Sequence, residues 1–427
     1  MSHPHATARE RLYAAIDERQ GELIELIQRL VRCRSLLGNE AEAQQVVAEY
    51  IRLSGVEPDV WDLDDSLLDR PGAGNSGVPF EGRPNVAAVY PGTGGGKWLI
   101  LNGHIDVVSP EPLDNWTRDP WAAEIVGRRM YGRGAYDMKS GLAVNLFVAR
   151  LLRDLGIELA ADLTVQSVIE EECTGNGALA ACFRDADRYR ADGVIVSEST
   201  NYGYTRAHVG VVWFRVEVLG EAVHAAVSWK GVNAIYKMMP IIQELQALDA
   251  RLNEETHPAF EGIEHPINLN VGVIQGGDWP SSVAGKCFIE CRLSMYPGQS
   301  VEETEAHVAA AIDRATERDP WLVEHPPMLS WYGFHSPGSE IALDEPLVKM
   351  LSLYHQEEHN APLIGHSGTG TNDMRNFIVY AGMPALCYGC SGFGAHEADE
   401  WLDLDSLVPT ARVLGSFILD WCGVANG

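Results

Sequence analysis

Basic side chains are the scarce component of this 427-residue chain: 32 Lys and Arg stand against 60 Asp and Glu, a formal net charge of −28. A surface of that sign repels phosphate backbones and anionic lipid, which argues against nucleic acid or a membrane as partner. The sequence has no uninterrupted apolar run of ~18 residues, the length of a membrane-spanning helix. The opening segment MSHPHATARERLYAAIDERQ has no apolar core of the kind a secretory signal carries. Cysteine is sparse and scattered. Of eight, only Cys387 and Cys390 have C-x-x-C spacing, and no second pair completes a zinc knuckle. Reduced thiols in a cytoplasmic protein are the expectation. What remains is 46% hydrophobic and 22% charged, a globular composition with chain enough for two or three compact units.

Apolar residues at helical spacing predict helices over 8–32 and 39–54, and the Gly- and Pro-rich stretch 64–84 predicts a loop. NVAAVYPG and KWLILNGHIDVV predict strands, joined at GTGGGK by a hairpin turn. That turn is no phosphate loop, because Lys97 precedes Trp98 and a strand rather than Ser or Thr and a helix. A helix over 140–153, the strand LTVQSVIEEE, a helix over 175–184 and the strand GVIVSES continue an α/β pattern with a largely parallel sheet. From about 207 the order becomes strand HVGVVWFRVEVLG, helix 231–254, strands INLNVGVIQGG and GKCFIECRLSMYP, helix 300–318 and strand PMLSWYGF. That is a ferredoxin-like α+β unit. Helix 345–358, a Gly-rich segment at 365–372, strand MPALCYG and helix 405–422 then resume the first pattern. The predicted organisation is a catalytic domain in two parts, 1–206 and 335–427, with 207–334 inserted.

Candidate chemistry concentrates at predicted strand ends. LNGHIDVV places His104 at the end of an apolar strand with Asp106 two residues on, where a carboxylate fixes the ring of a metal-binding histidine. YGRGAYDMKSG puts Asp137 in a glycine-flanked turn before a helix. Glu170, Glu171 and Glu172 follow LTVQSVI, Glu198 follows VIVS, and His396 lies in GFGAHEADEW. Ligands at the carboxyl edge of an open sheet are where α/β sites form. Two histidines and several carboxylates exceed one tetrahedral ion. They fit two metals roughly 3.5–4 Å apart sharing a bridging carboxylate, with a spare glutamate to carry protons.

The motifs LNGHIDVV, NWTRDPW, MYGRGAYDMKSGLA, EEECTGNGA, HAAVSWKGVNAI, GTGTNDMRNF and GAHEADEWL resemble, in order, those of the zinc aminoacylase family. That family includes acetylornithine deacetylase, succinyl-diaminopimelate desuccinylase, glutamate carboxypeptidase and aminoacylase. The resemblance implies a mostly parallel-sheet di-zinc catalytic domain with an inserted dimerisation domain, and hydrolysis of a small N-acylated substrate. The implied cofactors are two zinc ions, for which cobalt or manganese can substitute. It further implies that His104 and Glu198 hold one metal, Glu172 and His396 the other, and Asp137 bridges them. Asp106 orients His104 and Glu171 is the general base, with a shift to Glu170 as base and Glu171 as ligand the alternative register. His224 would reach the site of the partner subunit in a homodimer formed through the inserted domain. Asn270 and Arg292 would grip a substrate carboxylate, and Gly370, Thr371 and Arg375 the substrate's other end, beside a helix N-terminus. Two segments, DWPSSVAGKC and CYGCSGFGAH, depart from the acetylornithine deacetylase pattern, and Cys387 and Cys390 are read as packing residues. A dipeptidase or carboxypeptidase, and a metal-binding protein without turnover, are the rival readings.

Overall fold

The computed structural model describes residues 5–185 and 188–425. Four parallel strands form the centre of a nine-stranded sheet, in the order Leu163–Val168, Leu99–His104, Gly193–Val196, Ala385–Cys387. Every residue of these four is buried, so their near-continuous apolar runs follow from coverage on both faces. Antiparallel strands Pro84–Tyr90 and Asp59–Asp62 extend one side, and Gly203–His208 with antiparallel Ser339–Glu340 extends the other, where the ninth strand, Ile364–Gly368, pairs parallel to Gly203–His208. Helices Ala6–Arg32, Ser140–Asp154 and Leu407–Trp421 pack on one another, the middle one against the central strands.

The hairpin expected at GTGGGK does not form: strand Leu163–Val168 lies between its two supposed arms. Leu99–His104 is buried along its whole length and takes a parallel neighbour on each side, leaving no antiparallel place. The glycine-rich loop instead crosses the end of the intervening strand, with Thr93 N and Gly94 N donating to the carbonyls of Leu159 and Ala160.

HVGVVWFRVEVLG forms the expected long strand from Gly210 to Leu219, and its first residue, His208, ends a separate strand. Gly203–His208 belongs to the large sheet and Gly210–Leu219 to a second sheet, and the break falls at Val209. Gly210 passes so close to the returning chain that a Cβ there would sit 2.5 Å from Gly338 N. The second sheet runs Leu269–Gly276, Lys286–Met295, Gly210–Leu219, Met328–Ser336, wholly antiparallel, which is the ferredoxin-like order. Helices Ala234–Leu252 and Val301–Glu317 cover one face of it, the latter opened by a Ser300–Glu303 capping box. Each sheet has its own apolar core. A third, four-stranded sheet (Gly392–Phe393, Trp401–Asp403, Arg129–Tyr131, Glu124–Val126) was not foreseen.

His208, the last residue before the chain leaves the large sheet, is fully buried. Its Nδ1 donates to the Val209 carbonyl and its Nε2 accepts from the Ser339 hydroxyl, a neutral ring. Burial, with a smaller push from Arg375, lowers its pKa to about 3. An unfolded histidine takes up its proton near pH 6.5, so the stability this ring contributes is complete above that pH and declines as pH falls toward 3. His208→Gln should therefore reduce the loss of unfolding free energy between pH 6.5 and 4.5, followed by circular dichroism, by on the order of 1–3 kcal/mol. An acid slope identical to wild type would contradict the assignment.

Candidate metal centre

Because the four central strands are parallel, their carboxyl ends open on one edge, and the sequence places chemistry after each. His104 ends Leu99–His104, Glu171 and Glu172 follow Leu163–Val168, and Glu198 follows Gly193–Val196. His396 comes on the excursion after Ala385–Cys387. Asp137 arrives on the turn between strand Arg129–Tyr131 and helix Ser140–Asp154. That helix begins against the strand end carrying Glu198: a Cβ on Gly141 would lie 1.8 Å from the Ser197 carbonyl oxygen. Only glycine permits this approach.

The side chains meet in two groups sharing one member: His104, Asp137 and Glu198, and Asp137, Glu172 and His396. His104 Nε2 lies 3.3 Å from Asp137 Oδ1 and 3.6 Å from Glu198 Oε1. His396 Nε2 lies 3.4 Å from Asp137 Oδ2 and 2.9 Å from Glu172 Oε2. Each oxygen of Asp137 thus serves a different histidine. Glu171 Oε2 is 3.9 Å from His104 Nε2. That nitrogen is buried and has no hydrogen-bond partner, an expensive arrangement that a cation relieves. Nitrogen and carboxylate donors suit a borderline divalent metal such as zinc, so the residues fit a pair of ions.

The charges make the same demand. Burial, with the Asp137 and Glu172 charges, raises Glu198 well above the usual carboxylate range, and burial with Glu198 and Asp373 does the same to Glu171. Asp137 and then Glu172 push His396 up to about 11. His104 is likewise raised, since its carboxylate neighbours, led by Asp137, overcome the opposing effect of burial. The ensemble takes up positive charge wherever it can.

Glu170 is elsewhere. It is fully buried, accepting from Arg83 Nη1 at 2.7 Å, Ser76, Thr174 and Asn176. Arg83 in turn holds Glu40 at 2.6 Å. Of the triplet, Glu171 and Glu172 face the histidines and Glu170 anchors the turn.

The carboxylate expected to steer His104 does something else. Nδ1 of His104 meets the main-chain carbonyl of Asp106 at 2.9 Å, whereas the Asp106 carboxylate is 3.7 Å away. That carboxylate accepts from Glu171 N and Glu172 N, because the adjacent turn presents both amides to it. Arg375 also departs from expectation. Arg375 is 1% exposed, and its guanidinium donates to Thr371 Oγ1 and to the carbonyls of Asn372 and Thr174, so it straps the Gly-rich loop to the glutamate turn instead of facing a substrate. The helix expected there is a five-residue turn, Asn376–Tyr380. Gly370 and Thr371 lie at its approach, Gly370 in open space. Asn270 and Arg292 stand opposite each other on the second sheet, and Arg292 Nη2 donates to the Thr369 carbonyl. His224 is exposed on the inserted unit, where its Nδ1 accepts from Ala226 N. Cys387 and Cys390 are buried and belong to neither donor group.

Two residues escaped the sequence reading. Glu400 is fully buried, with Oε1 accepting from Tyr136 N and Asp137 N, and Oε2 from Gly134 N and Arg133 Nη1 at 2.7 Å. It clamps the turn that presents Asp137. Its place four residues after His396 was the available signal. Asp373, buried between Arg375 and the cluster and raised by burial to about 6, had none.

The fold and this centre define a metal-dependent hydrolase of amide bonds. The chain belongs to Peptidase family M20/M25/M40, whose model matches residues 100–420. It is 31% identical to an N-formyl-4-amino-5-aminomethyl-2-methylpyrimidine deformylase of Halalkalibacterium halodurans, over 97% of each chain. It is 29% identical to an acetylornithine deacetylase of Pectobacterium carotovorum, over 79% of this chain and 83% of the other. The di-peptidase Dug1p of Saccharomyces cerevisiae shares the fold, with a TM-score of 0.78 at 14% identity over 98% of this chain and 99% of that one.

Glu400→Gln should lower metal affinity about 10–100-fold, the usual cost of removing a group that holds a ligand in place. It should also cost stability, by about 3–5 kcal/mol, because Arg133 loses its buried counter-charge. Chelator competition and thermal denaturation check the two effects. Metal affinity equal to wild type would show that the Asp137 turn holds itself.

Proposed function

We propose that the protein hydrolyses the amide of an N-acyl amino acid or related N-acyl amine, as a di-zinc deacylase in which cobalt or manganese can substitute. The observation that carries this is Asp137, shared by two donor groups, with Glu171 beside them. His104 and Glu198 would hold one ion, Glu172 and His396 the other, and Asp137 both. When bound, a divalent pair supplies Lewis acidity, polarising the amide carbonyl and acidifying water. Glu171 then takes the proton from the attacking water and returns it to the leaving nitrogen, the two halves of general acid–base catalysis. Asp106 sets Glu171 and Glu172 through their amides. The deformylase matched end to end and the deacetylase both release a small acyl group, which supports this reading over a dipeptidase.

Glu171→Gln should keep two metals per chain and lose kcat by at least about 10²-fold, whereas His104→Ala should lose metal. Metal analysis beside rates on N-formyl, N-acetyl, N-succinyl and dipeptide substrates checks this. Full turnover by metal-loaded Glu171→Gln would sink the assignment, and preference for peptides with a free amino terminus would move it to a dipeptidase. A loaded protein inert on every amide would leave a metal carrier.

The homodimer belongs to the same proposal. Edge strand Leu269–Gly276 of the inserted unit exposes Val273 and Ile274, and the segment 225–252 of the same unit exposes Trp229, Tyr236 and Met239, apolar side chains on a unit with an open strand edge. His224, exposed on that unit, would then serve the opposite subunit by stabilising the developing oxyanion. Ile274→Lys should shift sedimentation toward monomer and lower kcat together with it. A fully active monomer would remove His224 from the reaction. Eight free thiols support a cytoplasmic location.

A further inference from the structure

The face of the second sheet that its helices leave uncovered carries a row of four directly opposed side chains. The pairing register sets Asn270 against Arg292, Arg292 against Trp213, and Trp213 against Tyr332, crossing all four strands. These residues and Glu290 line one cavity of about 170 Å³. Its size is that of a subsite for part of a ligand, below the range that encloses a whole drug-sized molecule.

The aromatic wall is fixed before any ligand arrives. Trp213 and Tyr332 rings lie 5.8 Å apart and tilted, and Phe334 meets Trp213 edge-on at 5.2 Å. Behind Trp213 the chain passes as Gly333, at φ +58°, where a Cβ would come within 2.3 Å of the indole. The indole is therefore seated against bare backbone. Such a wall offers a flat π-face at little entropic cost. The polar members complement it. Arg292 is a donor, Asn270 both donor and acceptor, and Glu290, held by Arg215 at 2.7 Å, an acceptor. A flat wall beside donors and acceptors matches a nitrogen heterocycle with an exocyclic amine better than a flexible alkyl chain.

The cavity is tied to the metal centre. Arg292 donates to the Thr369 carbonyl, and the strap from there reaches Arg375, whose guanidinium lies 5.5 Å over Phe334 and bonds the Thr174 carbonyl in the glutamate turn. We infer that the Trp213–Tyr332 cavity is a specificity subsite for the planar nitrogen-heteroaromatic ring of the amine half of the substrate. This rests on the proposed amide hydrolysis.

The test compares zinc-loaded wild type with Trp213→Leu and Trp213→Phe, using the N-formyl derivative of a 4-amino-5-aminomethylpyrimidine and N-formylpentylamine. Wild type should favour the heteroaromatic amide in kcat/KM. Trp213→Leu should reduce that preference about 10-fold, chiefly through KM, and Trp213→Phe should restore most of it, the scale of one ring-stacking contact. Calorimetry with the free aminomethylpyrimidine reads the subsite without turnover, and Trp213→Leu should weaken that binding by a similar factor. Equal use of both amides by wild type, or a preference unchanged in Trp213→Leu, overturns the subsite while leaving the hydrolase reading intact. Trp213-dependent binding of the amine with no amide turned over overturns the hydrolase reading and supports the subsite.

Discussion

The constraint on which the structure depends is a surplus of buried negative charge at one sheet edge. Asp106, Asp137, Glu171, Glu172, Glu198 and Asp373 crowd around two histidines. No protein buries such a set without compensation, because each unpaired ion costs several kcal/mol. Compensation comes in two forms here. At the periphery, Arg83 with Glu40 and Glu170, and Arg133 with Glu400, are closed networks of nearly unexposed groups. At the centre no arginine or lysine forms an ion pair with the cluster among the described residues; the histidines answer it, with Arg375 acting on Asp373. The balance is left for divalent cations.

The peripheral networks are also what gives the centre its shape. Glu170 takes a left-handed backbone at φ 64°, and its carboxylate is held by four donors that fix where Glu171 and Glu172 begin. His396 has the same left-handed conformation, also φ 64°. For non-glycine residues this conformation persists only where surroundings enforce it. Beyond His396 the chain enters strand Trp401–Asp403, which pairs with Arg129–Tyr131, the strand before the Asp137 turn. Glu400 joins the same two segments by side chain. The small third sheet thus sets the spacing of the Asp137 and His396 donors, although its strands are two or three residues long.

Strand-end chemistry was legible because a histidine or glutamate run at the end of a buried apolar strand is costly and local. The parallel centre and the ferredoxin-like unit were legible through the alternation of periods. What could not be read depended on partners distant in sequence. The GTGGGK loop looks like a hairpin until Leu163–Val168 is known to lie between its arms. The Asp106 carboxylate is two residues from His104 in the chain, yet its partners are amides 65 and 66 residues away. Arg375 has a binding residue's composition and neighbours, and only its burial against the Thr174 carbonyl reveals a strap. Short strands paired over some 270 residues, as Arg129–Tyr131 is with Trp401–Asp403, leave no periodic trace.

These same facts explain why chemistry was easier to read than selectivity. The donors are supplied by one edge of one sheet, and their identities are restricted by what binds a cation and carries a proton. The Asn270–Arg292–Trp213–Tyr332 row is supplied by one face of another sheet, where alternation requires only that the residue be tolerated away from the helices. Trp213 and Tyr332 in sequence are ordinary strand residues. They acquire meaning when the register sets them beside Arg292, and when Arg292 is joined through Thr369 to the strap that reaches the glutamate turn. A sheet face can change its row without disturbing its core, while a metal edge cannot change its donors without losing the ion. Substrate range can therefore diverge on the second sheet while the hydrolytic edge of the first stays as it is.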